Sequence, residues 1–120
     1  MTQKTSSKIK TVVLVAKDYL GDGDRGLSTR LLAMALYAFS QAEELPTHIL
    51  MMNSGVKLAA DRNGEAASHL LELAGSNVEI LTCGTCLEFY GVKDDQFVGR
   101  VSNMYELVGN MTQAQNVITL

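Results

Sequence analysis

Apolar segments alternate with amphipathic segments along almost the whole chain. The unbroken apolar run at 11–16 predicts a strand covered on both faces, since continuous β-branched runs are typical of parallel sheets. Later apolar runs predict further strands at 48–52, 78–82, 97–101 and 117–120. The segments between the strands predict helices at 27–44, 65–74, 86–90 and around 104–111. In the second and the last of these, apolar residues are spaced three and four apart, which is typical of an amphipathic helix.

Polar and turn-forming residues indicate where several of these elements begin and end. Asp24 is the predicted N-cap of the first helix, because a carboxylate accepts hydrogen bonds from the free N–H groups of a first turn. Pro46 ends that helix, since the residue before a proline disfavours helical geometry. The Asn-Ser-Gly sequence at 53–55 predicts a turn. Asn103, three residues before Glu106, predicts a capping box at the last helix.

Strands that alternate with helices predict a single α/β domain over 10–120, after a polar tail at 1–9 that we expect to be disordered. The short connections imply a mainly parallel sheet with right-handed crossovers and helices on both faces. Ligands of such sheets bind along the carboxyl ends of the strands, an edge that we term the rim. The predicted rim contains Cys83 and Cys86, together with Asp18, Gly21, Asp24, Asn53, Ser54, Gly55, Lys57, Gly84, Thr85 and Asn103.

Charge and composition exclude several classes of partner. The chain has a formal net charge of −3, whereas binding to nucleic acid or to an anionic membrane needs clustered cations. The only basic concentration is Lys4, Lys8 and Lys10 near the N-terminus. The first ten residues lack the apolar core of a secretory signal, and the longest apolar run, at 31–39, is too short to span a bilayer. We therefore expect a cytoplasmic protein that binds neither nucleic acid nor membrane.

The run at 31–39 surrounds its predicted helix with apolar side chains instead of forming one stripe. A helix of this kind is buried on more than one side. In so small a domain, part of that surface is expected to face another subunit of a homo-oligomer. The alternative is that the sheet and the neighbouring helices cover it.

The loop at 21–26, Gly-Asp-Gly-Asp-Arg-Gly, matches the G-x-G-x-x-G dinucleotide fingerprint letter for letter. Its surroundings differ from that fingerprint, since residues 17–20 separate the first glycine from the strand and two aspartates would face a pyrophosphate. The second strand also ends without the carboxylate that binds a ribose hydroxyl. We therefore interpret the segment as a flexible loop with Asp24 as a helix cap.

The sequence Cys83-Gly84-Thr85-Cys86 carries the clearest candidate chemistry. A disulfide between residues so close in sequence adds little stability, because it closes a very short loop. In a reducing compartment this spacing indicates reactive or metal-binding cysteines. Cys83 lies where a strand meets a helix, so we expect the first N–H groups of that helix to stabilise its thiolate. Cys86, one helical turn later, is placed to resolve a disulfide or to take over a bound sulfur.

The residues alone leave four interpretations of the two cysteines open. They are a sulfur carrier, a dithiol oxidoreductase, a non-catalytic module that binds a small ligand or partner, and a pair of buried structural cysteines. Zinc is disfavoured, because His48 and His69 do not form a nearby knuckle, and we expect no metal or cofactor. Lys57 would raise the thiolate fraction if it reaches the rim.

Four stretches of the chain resemble one known family. They are TVVLVAKDYLGDGD, MMNSGVKLA, EILTCGTCLEFYGVKD and VGRVSNMYELV, which follow one another from Thr11 onward. In these stretches the chain is similar to the DsrE/DsrF-like sulfurtransferases. Within that family it is most similar to the C-terminal domain of the YedF-type proteins, which are sulfurtransferase-like proteins of selenium metabolism.

The resemblance implies a three-layer α/β/α domain with a five-stranded parallel sheet, commonly assembled into trimers or larger oligomers. It implies that Cys83 is the cysteine that carries sulfur as a persulfide, and that Cys86 matches a second cysteine of the closer relatives. It also implies exchange with donor and acceptor proteins, such as a cysteine desulfurase or a TusA-like carrier. The loop at 21–26 departs from the family, whose members tend to be more acidic at the positions of Arg25 and Gly26.

Overall fold

The computed structural model describes residues 9–120, and within them it contains one five-stranded sheet. The strands are β1 (Thr11–Val15), β2 (His48–Met51), β3 (Glu79–Cys83), β4 (Arg100–Ser102) and β5 (Asn116–Thr119). Their spatial order is β4-β3-β2-β1-β5, and every neighbouring pair is parallel. The predicted α/β class and parallel sheet are confirmed. Residues 1–8 of the tail predicted at 1–9 lie outside the described residues.

The three central strands form the middle of the hydrophobic core. Val13, Ile49 and Ile80 lie side by side in register across β1, β2 and β3, and all three are buried. Burying a side chain of this size stabilises the fold by about 1.5–3 kcal/mol. β3 is buried from Ile80 to Cys83, whereas every residue of the edge strand β5 is exposed. Cys83 therefore ends a strand that the protein covers on both faces.

Within residues 9–120, four α-helices connect the strands: α1 (Arg25–Ser40), α2 (Ala67–Gly75), α3 (Gly84–Tyr90) and α4 (Met104–Thr112). From β1 to β4 the chain steps across the sheet in one direction, and it then returns to place β5 beside β1. Because such crossovers are right-handed, α1, α2 and α3 lie on one face and α4 lies on the other. The expected three-layer arrangement is therefore present. None of the helices among the described residues has the length and apolar character of a membrane span.

Both predicted N-cap residues are confirmed, but the predicted capping box is only half formed, because the Glu106 carboxylate accepts hydrogen bonds from Arg100 and Ser102 instead of from the Asn103 N–H. The carboxylate of Asp24 accepts a hydrogen bond from the Leu27 N–H at 2.9 Å, at the start of α1. The side-chain oxygen of Asn103 accepts one from the Glu106 N–H at 2.9 Å, at the start of α4. A cap of this kind satisfies a free N–H of the first turn and is worth about 1 kcal/mol.

The turn predicted at 53–55 is instead the beginning of a 3₁₀ segment, Asn53–Ala60. Gly55 makes this coil possible, because its backbone packs directly against the carbonyl group of Val15 on β1. The Gly55 N–H donates to the Met52 carbonyl oxygen at 2.9 Å, which closes the first tight turn. This segment brings residues 53–60 to the rim.

Two boundaries differ from the prediction by more than two residues. α1 ends at Ser40 instead of residue 44, and the Ser40 hydroxyl donates back to the Tyr37 carbonyl oxygen at 2.6 Å. β4 begins at Arg100 instead of residue 97, because Gly99 has a φ of +82° and interrupts the extended conformation before it. The shorter β4 still reaches the rim at Ser102, which lies in register beside Cys83.

Candidate functional site

The Cys-x-x-Cys segment joins β3 directly to α3. Cys83 is both the last residue of β3 and the N-cap of α3, with a φ of −72° and a ψ of 118°. The helix begins at Gly84 and not at residue 86 as predicted, so strand and helix follow each other without a loop. Glycine fits closely at position 84, since a Cβ atom there would lie 3.0 Å from Cγ1 of Val101 on β4 and that side chain would have to shift slightly. Cys86 consequently lies in the first turn of α3.

The two thiols differ in their access to solvent. Cys83 is 4% exposed and belongs to the hydrophobic core, whereas Cys86 is half-buried at its edge. Both cysteines are free thiols, and their side chains lie close enough to interact. The sulfur of Cys83 accepts no capping hydrogen bond from the described part of α3, contrary to the expectation from sequence. The more accessible sulfur is therefore that of Cys86.

Opposing contacts act on the Cys86 thiol, and together they raise its pKa above the ordinary value of a cysteine. Burial raises its pKa, because the thiolate would lose the water that stabilises its charge, and the hydrogen bond with Cys83 raises it further. The backbone N–H of Asn53 donates to Sγ of Cys86 at 3.0 Å and lowers the pKa. The Asn53 N–H is thus the contact that favours a negatively charged sulfur at this position.

Asn53 approaches Cys86 in an uncommon backbone conformation. It begins the 3₁₀ segment after β2, and its φ of +52° lies in the left-handed region, which asparagine tolerates better than most residues. Its side-chain Oδ1 accepts a hydrogen bond from the Tyr90 hydroxyl at 3.0 Å. The main chain of Asn53 therefore binds Cys86 and its side chain binds Tyr90, one helical turn further along α3.

Tyr90 is the residue of this cluster that the sequence analysis does not assign to the site. Its position four residues after Cys86 places both side chains on one face of a helix, and this spacing is the available signal. Lys57 reaches the rim through Tyr90, with Nζ at 4.5 Å from the ring centre in a cation–π contact. We refer to Cys83, Cys86, Asn53 and Tyr90 as the cysteine site.

Asp18 and Ser54 connect two loops of the rim. The Asp18 N–H donates to the Ser54 hydroxyl oxygen at 3.2 Å, and the Asp18 carboxylate lies 3.4 Å from the guanidinium group of Arg25. A cavity of about 370 Å³ opens beside them and is lined by Asp18, Lys57 and Asp61, among others. Lys57 thus borders this cavity and also contacts the cysteine site.

The remaining predicted rim residues have other roles in the structure. Gly21 turns the chain before α1 with a φ of +93°, and Thr85 is exposed on the first turn of α3. Asp24 and Asn103 serve as the helix caps described above. No hydrogen bond or ion pair among the described residues links the side chains of these residues to the cysteines, and their part in the site stays a prediction.

Metal ligands do not converge in the described chain. Within residues 9–120, no group of three or more His, Cys, Asp and Glu side chains is arranged to hold a metal ion. His48 begins β2, at the end of the sheet opposite to the rim, and its Nε2 lies 3.3 Å from Oε1 of Glu79. His69 lies on α2 with its ring centre 5.2 Å from that of Tyr37. The histidines therefore belong to other contacts.

Three solved structures have a similar fold. The YchN protein from E. coli aligns with a TM-score of 0.67 and 21% identity, over 93% of this chain and 99% of that chain. MTH1491 from Methanobacterium thermoautotrophicum aligns with a TM-score of 0.68 and 22% identity, over 94% and 100%. BT1422 from Bacteroides thetaiotaomicron aligns with a TM-score of 0.63 and 17% identity, over 92% and 95%. At these identities the likeness shows a shared fold.

The sequence comparisons place the chain in a family but not in a subgroup of it. No curated protein matches the chain significantly. The finer likeness to the YedF-type domain stays a prediction, because neither the family match nor the solved structures test it. The sequence pattern of the DsrE/DsrF-like family matches residues 12–120, which confirms the resemblance seen in the four stretches. The chain belongs to the DsrE/DsrF-like family.

Proposed function

We propose that this protein carries sulfur as a persulfide on the turn at 83–86 and passes it to another protein. The observation that carries this proposal is the contact between two free thiols at the carboxyl end of a central strand. The more accessible sulfur also accepts a backbone N–H at 3.0 Å, a contact that favours its thiolate against the burial that raises its pKa. Membership of the DsrE/DsrF-like family supports a sulfur-relay role.

The proposed cycle has two substitution steps. A thiolate of the turn attacks the outer sulfur of a donor persulfide, so that one S–S bond forms on this protein and the donor leaves as a thiolate. An acceptor thiolate then attacks the same outer sulfur, which breaks that S–S bond and regenerates the cysteine. Because each step makes one S–S bond and breaks one, the cycle consumes no oxidant or reductant.

The cargo and the partners are proposed from the family resemblance. Sulfur is the simplest cargo, and the YedF-type resemblance of the stretch EILTCGTCLEFYGVKD extends the proposal to selenium. A cysteine desulfurase is the proposed type of donor and a TusA-like carrier the proposed type of acceptor. Since such partners work in a reducing compartment, we propose that the protein acts in the cytoplasm.

A sulfur-transfer assay tests the proposal directly. The full chain is incubated with a cysteine desulfurase and cysteine, and its intact mass is then measured with and without a thiol reductant. We expect a mass increase of one sulfur atom that the reductant removes. The double variant Cys83→Ser/Cys86→Ser is the control and should gain nothing. A wild-type protein that gains no sulfur, or a double variant that gains as much, would exclude sulfur carriage on this turn.

A dithiol oxidoreductase is the second candidate, and the contact between the two thiols favours it. In that case Cys83 and Cys86 would form a reversible disulfide, with two electrons passed to or from a partner dithiol. Titration against glutathione buffers, read by intact mass after alkylation, distinguishes the two functions. A reversible loss of two alkylation sites at a defined potential supports the oxidoreductase, whereas sulfur gain without that transition supports the carrier.

A further inference from the structure

The family resemblance points to Cys83 as the sulfur-carrying cysteine, but the structure encloses that residue. Cys83 is 4% exposed and sits within the apolar core, at the junction of β3 and α3. A thiolate that attacks a donor persulfide needs unobstructed access to the outer sulfur of that persulfide. Cys86 is half-buried at the edge of the core, so a donor reaches its sulfur before it reaches that of Cys83.

A chain of hydrogen bonds leads from Tyr90 through Asn53 to the sulfur of Cys86. The Asn53 N–H donates to its sulfur at 3.0 Å, and the Tyr90 hydroxyl donates to Oδ1 of Asn53 at 3.0 Å. The left-handed conformation of Asn53, with a φ of +52°, costs free energy that the surrounding contacts must offset. Lys57 lies over the Tyr90 ring, with Nζ 4.5 Å from the ring centre, and so adds a further contact to this chain.

We propose that Cys86 is the thiol that receives sulfur from the donor, and that Tyr90 is a positioning residue that aims the Asn53 N–H at this sulfur. This inference rests on the proposed function. In the receiving step the Cys86 thiolate attacks the outer donor sulfur, and the donor thiolate leaves. The Asn53 N–H then stabilises the thiolate before the attack and again when the sulfur is passed on.

Cys83 is the second holder of the sulfur. Because the two side chains are in contact, the Cys83 thiolate can attack the outer sulfur on Cys86, which forms the Cys83 persulfide and releases the Cys86 thiolate. The S–S bond that forms replaces the one that breaks. The buried position then protects the persulfide from thiols in solution. For release, the Cys86 thiolate attacks the outer sulfur on Cys83, which frees the Cys83 thiolate, and the acceptor takes the sulfur from Cys86.

The receiving role is tested by the early rate of sulfur gain from a cysteine desulfurase and cysteine. We expect Cys86→Ala to gain sulfur at least about tenfold more slowly than Cys83→Ala, because the thiol that remains in Cys86→Ala is enclosed. A Cys86→Ala variant that gains sulfur at the wild-type rate would overturn the assignment. Thermal unfolding of each variant reports its folding, and fragmentation of the wild-type peptide after brief exposure locates the first sulfur without any substitution.

The positioning role is tested by Tyr90→Phe, which removes one hydroxyl and keeps the ring under Lys57. We expect the Cys86 thiol pKa to rise and the sulfur gain to slow about threefold to tenfold, the effect of one ordinary hydrogen bond. Alkylation rates across a pH range, measured in a Cys83→Ala background, give the pKa. Besides Cys83, two titratable groups take part in this chain of contacts. The Tyr90 hydroxyl bonds Asn53, and Lys57 lies over the Tyr90 ring. An unchanged pKa would remove Tyr90 from the site.

A second substitution and a control complete the test. Asn53→Gly keeps the N–H and accepts the left-handed conformation, so it should slow sulfur gain less than Asn53→Ala does. Tyr105→Phe on α4 is the matched control, because Tyr105 is 90% exposed and should change neither the rate nor the pKa. If the wild type gains no sulfur, the proposed function fails. The order of alkylation still tests the geometry in that case, since iodoacetamide should label Cys86 well before Cys83.

Discussion

Gly55 is the residue at which one added carbon atom would disturb the rim most directly. A Cβ atom there would overlap the Val15 carbonyl oxygen and lie 3.2 Å from the Val15 side chain. We predict that Gly55→Ala lowers the free energy of unfolding by about 1–3 kcal/mol, the usual cost of overpacking. The 3₁₀ segment would have to move off β1. Denaturant titration of both proteins measures the difference.

Gly109 is the matched control for this substitution. It lies inside α4, and a Cβ atom at this position meets no atom within 4 Å. Gly109→Ala should therefore raise the free energy of unfolding by about 0.5–1 kcal/mol, because alanine loses less backbone entropy in a helix. Equal stability of Gly55→Ala and the wild type would show that the contact with Val15 relaxes freely.

The residues of the site were partly predictable from sequence. The cysteines, Asn53 and Lys57 follow strands in the sequence, and the carboxyl ends of parallel strands meet at one edge. Which cysteine is accessible was not predictable, because it depends on α3 beginning at Gly84 and on packing against β4. The contact of Asn53 with Cys86 joins residues far apart in sequence, so no local pattern indicates it.

The elements were predictable where the pattern is local. Alternating apolar runs placed all five strands, and single polar residues marked the caps of α1 and α4. The 3₁₀ segment Asn53–Ala60 was missed because a tertiary contact, that of Gly55 with β1, holds it in place. α1 ends early, at Ser40, whose hydroxyl donates to the Tyr37 carbonyl oxygen. The sequence around Ser40 does not show whether the helix ends there or continues.

His48 couples β2 to β3 in a pH-dependent way. Burial is the main cause of its lowered pKa, with the nearby charge of Lys10 next, and Glu79 acts in the opposite direction. The folded state therefore takes up the proton less readily than the unfolded chain, whose histidine pKa is near 6.5. We predict that the His48 contribution to stability is fully present above that pH and is lost as the pH falls below it.

Thermal unfolding measured across this pH range tests the prediction for His48. The wild type should lose stability as the pH falls through 6.5, and His48→Gln should lose less of it. His69→Gln is the control, since it leaves the pair between His48 and Glu79 in place. Glu106 adds a separate decline only below 4.5, because the Arg100 guanidinium lowers its pKa. An identical pH profile for His48→Gln and the wild type would refute the coupling.

The whole molecule presents an apolar face that its own sheet does not cover. Leu27, Leu31 and Met34 repeat along one side of α1, and Leu27 and Met34 are more than half exposed at 55% and 56%. From this face we propose a homo-oligomer, and the family resemblance implies that it is a trimer or a multiple of one. We predict that the full chain sediments as an oligomer at working concentrations.

A charge placed on this face should separate the subunits. Met34→Lys is expected to shift the sedimentation mass toward that of a monomer, because an ammonium group would be buried between subunits. Glu43→Lys, at an exposed position beyond the end of α1, adds the same group away from the face and should leave the mass unchanged. A monomeric wild type would refute the assembly itself.

The direct junction of β3 and α3 has a consequence for how the protein opens. With no loop between them, reagents in solution gain full access to the sulfur of Cys83 when α3 or the end of β3 moves away from the core. In a native protein under mild conditions, slow modification of this thiol by an added reagent would therefore follow opening of this junction, as hydrogen exchange does for amides protected by local structure. The modification rate of Cys83 thus reports how often the junction of β3 and α3 opens.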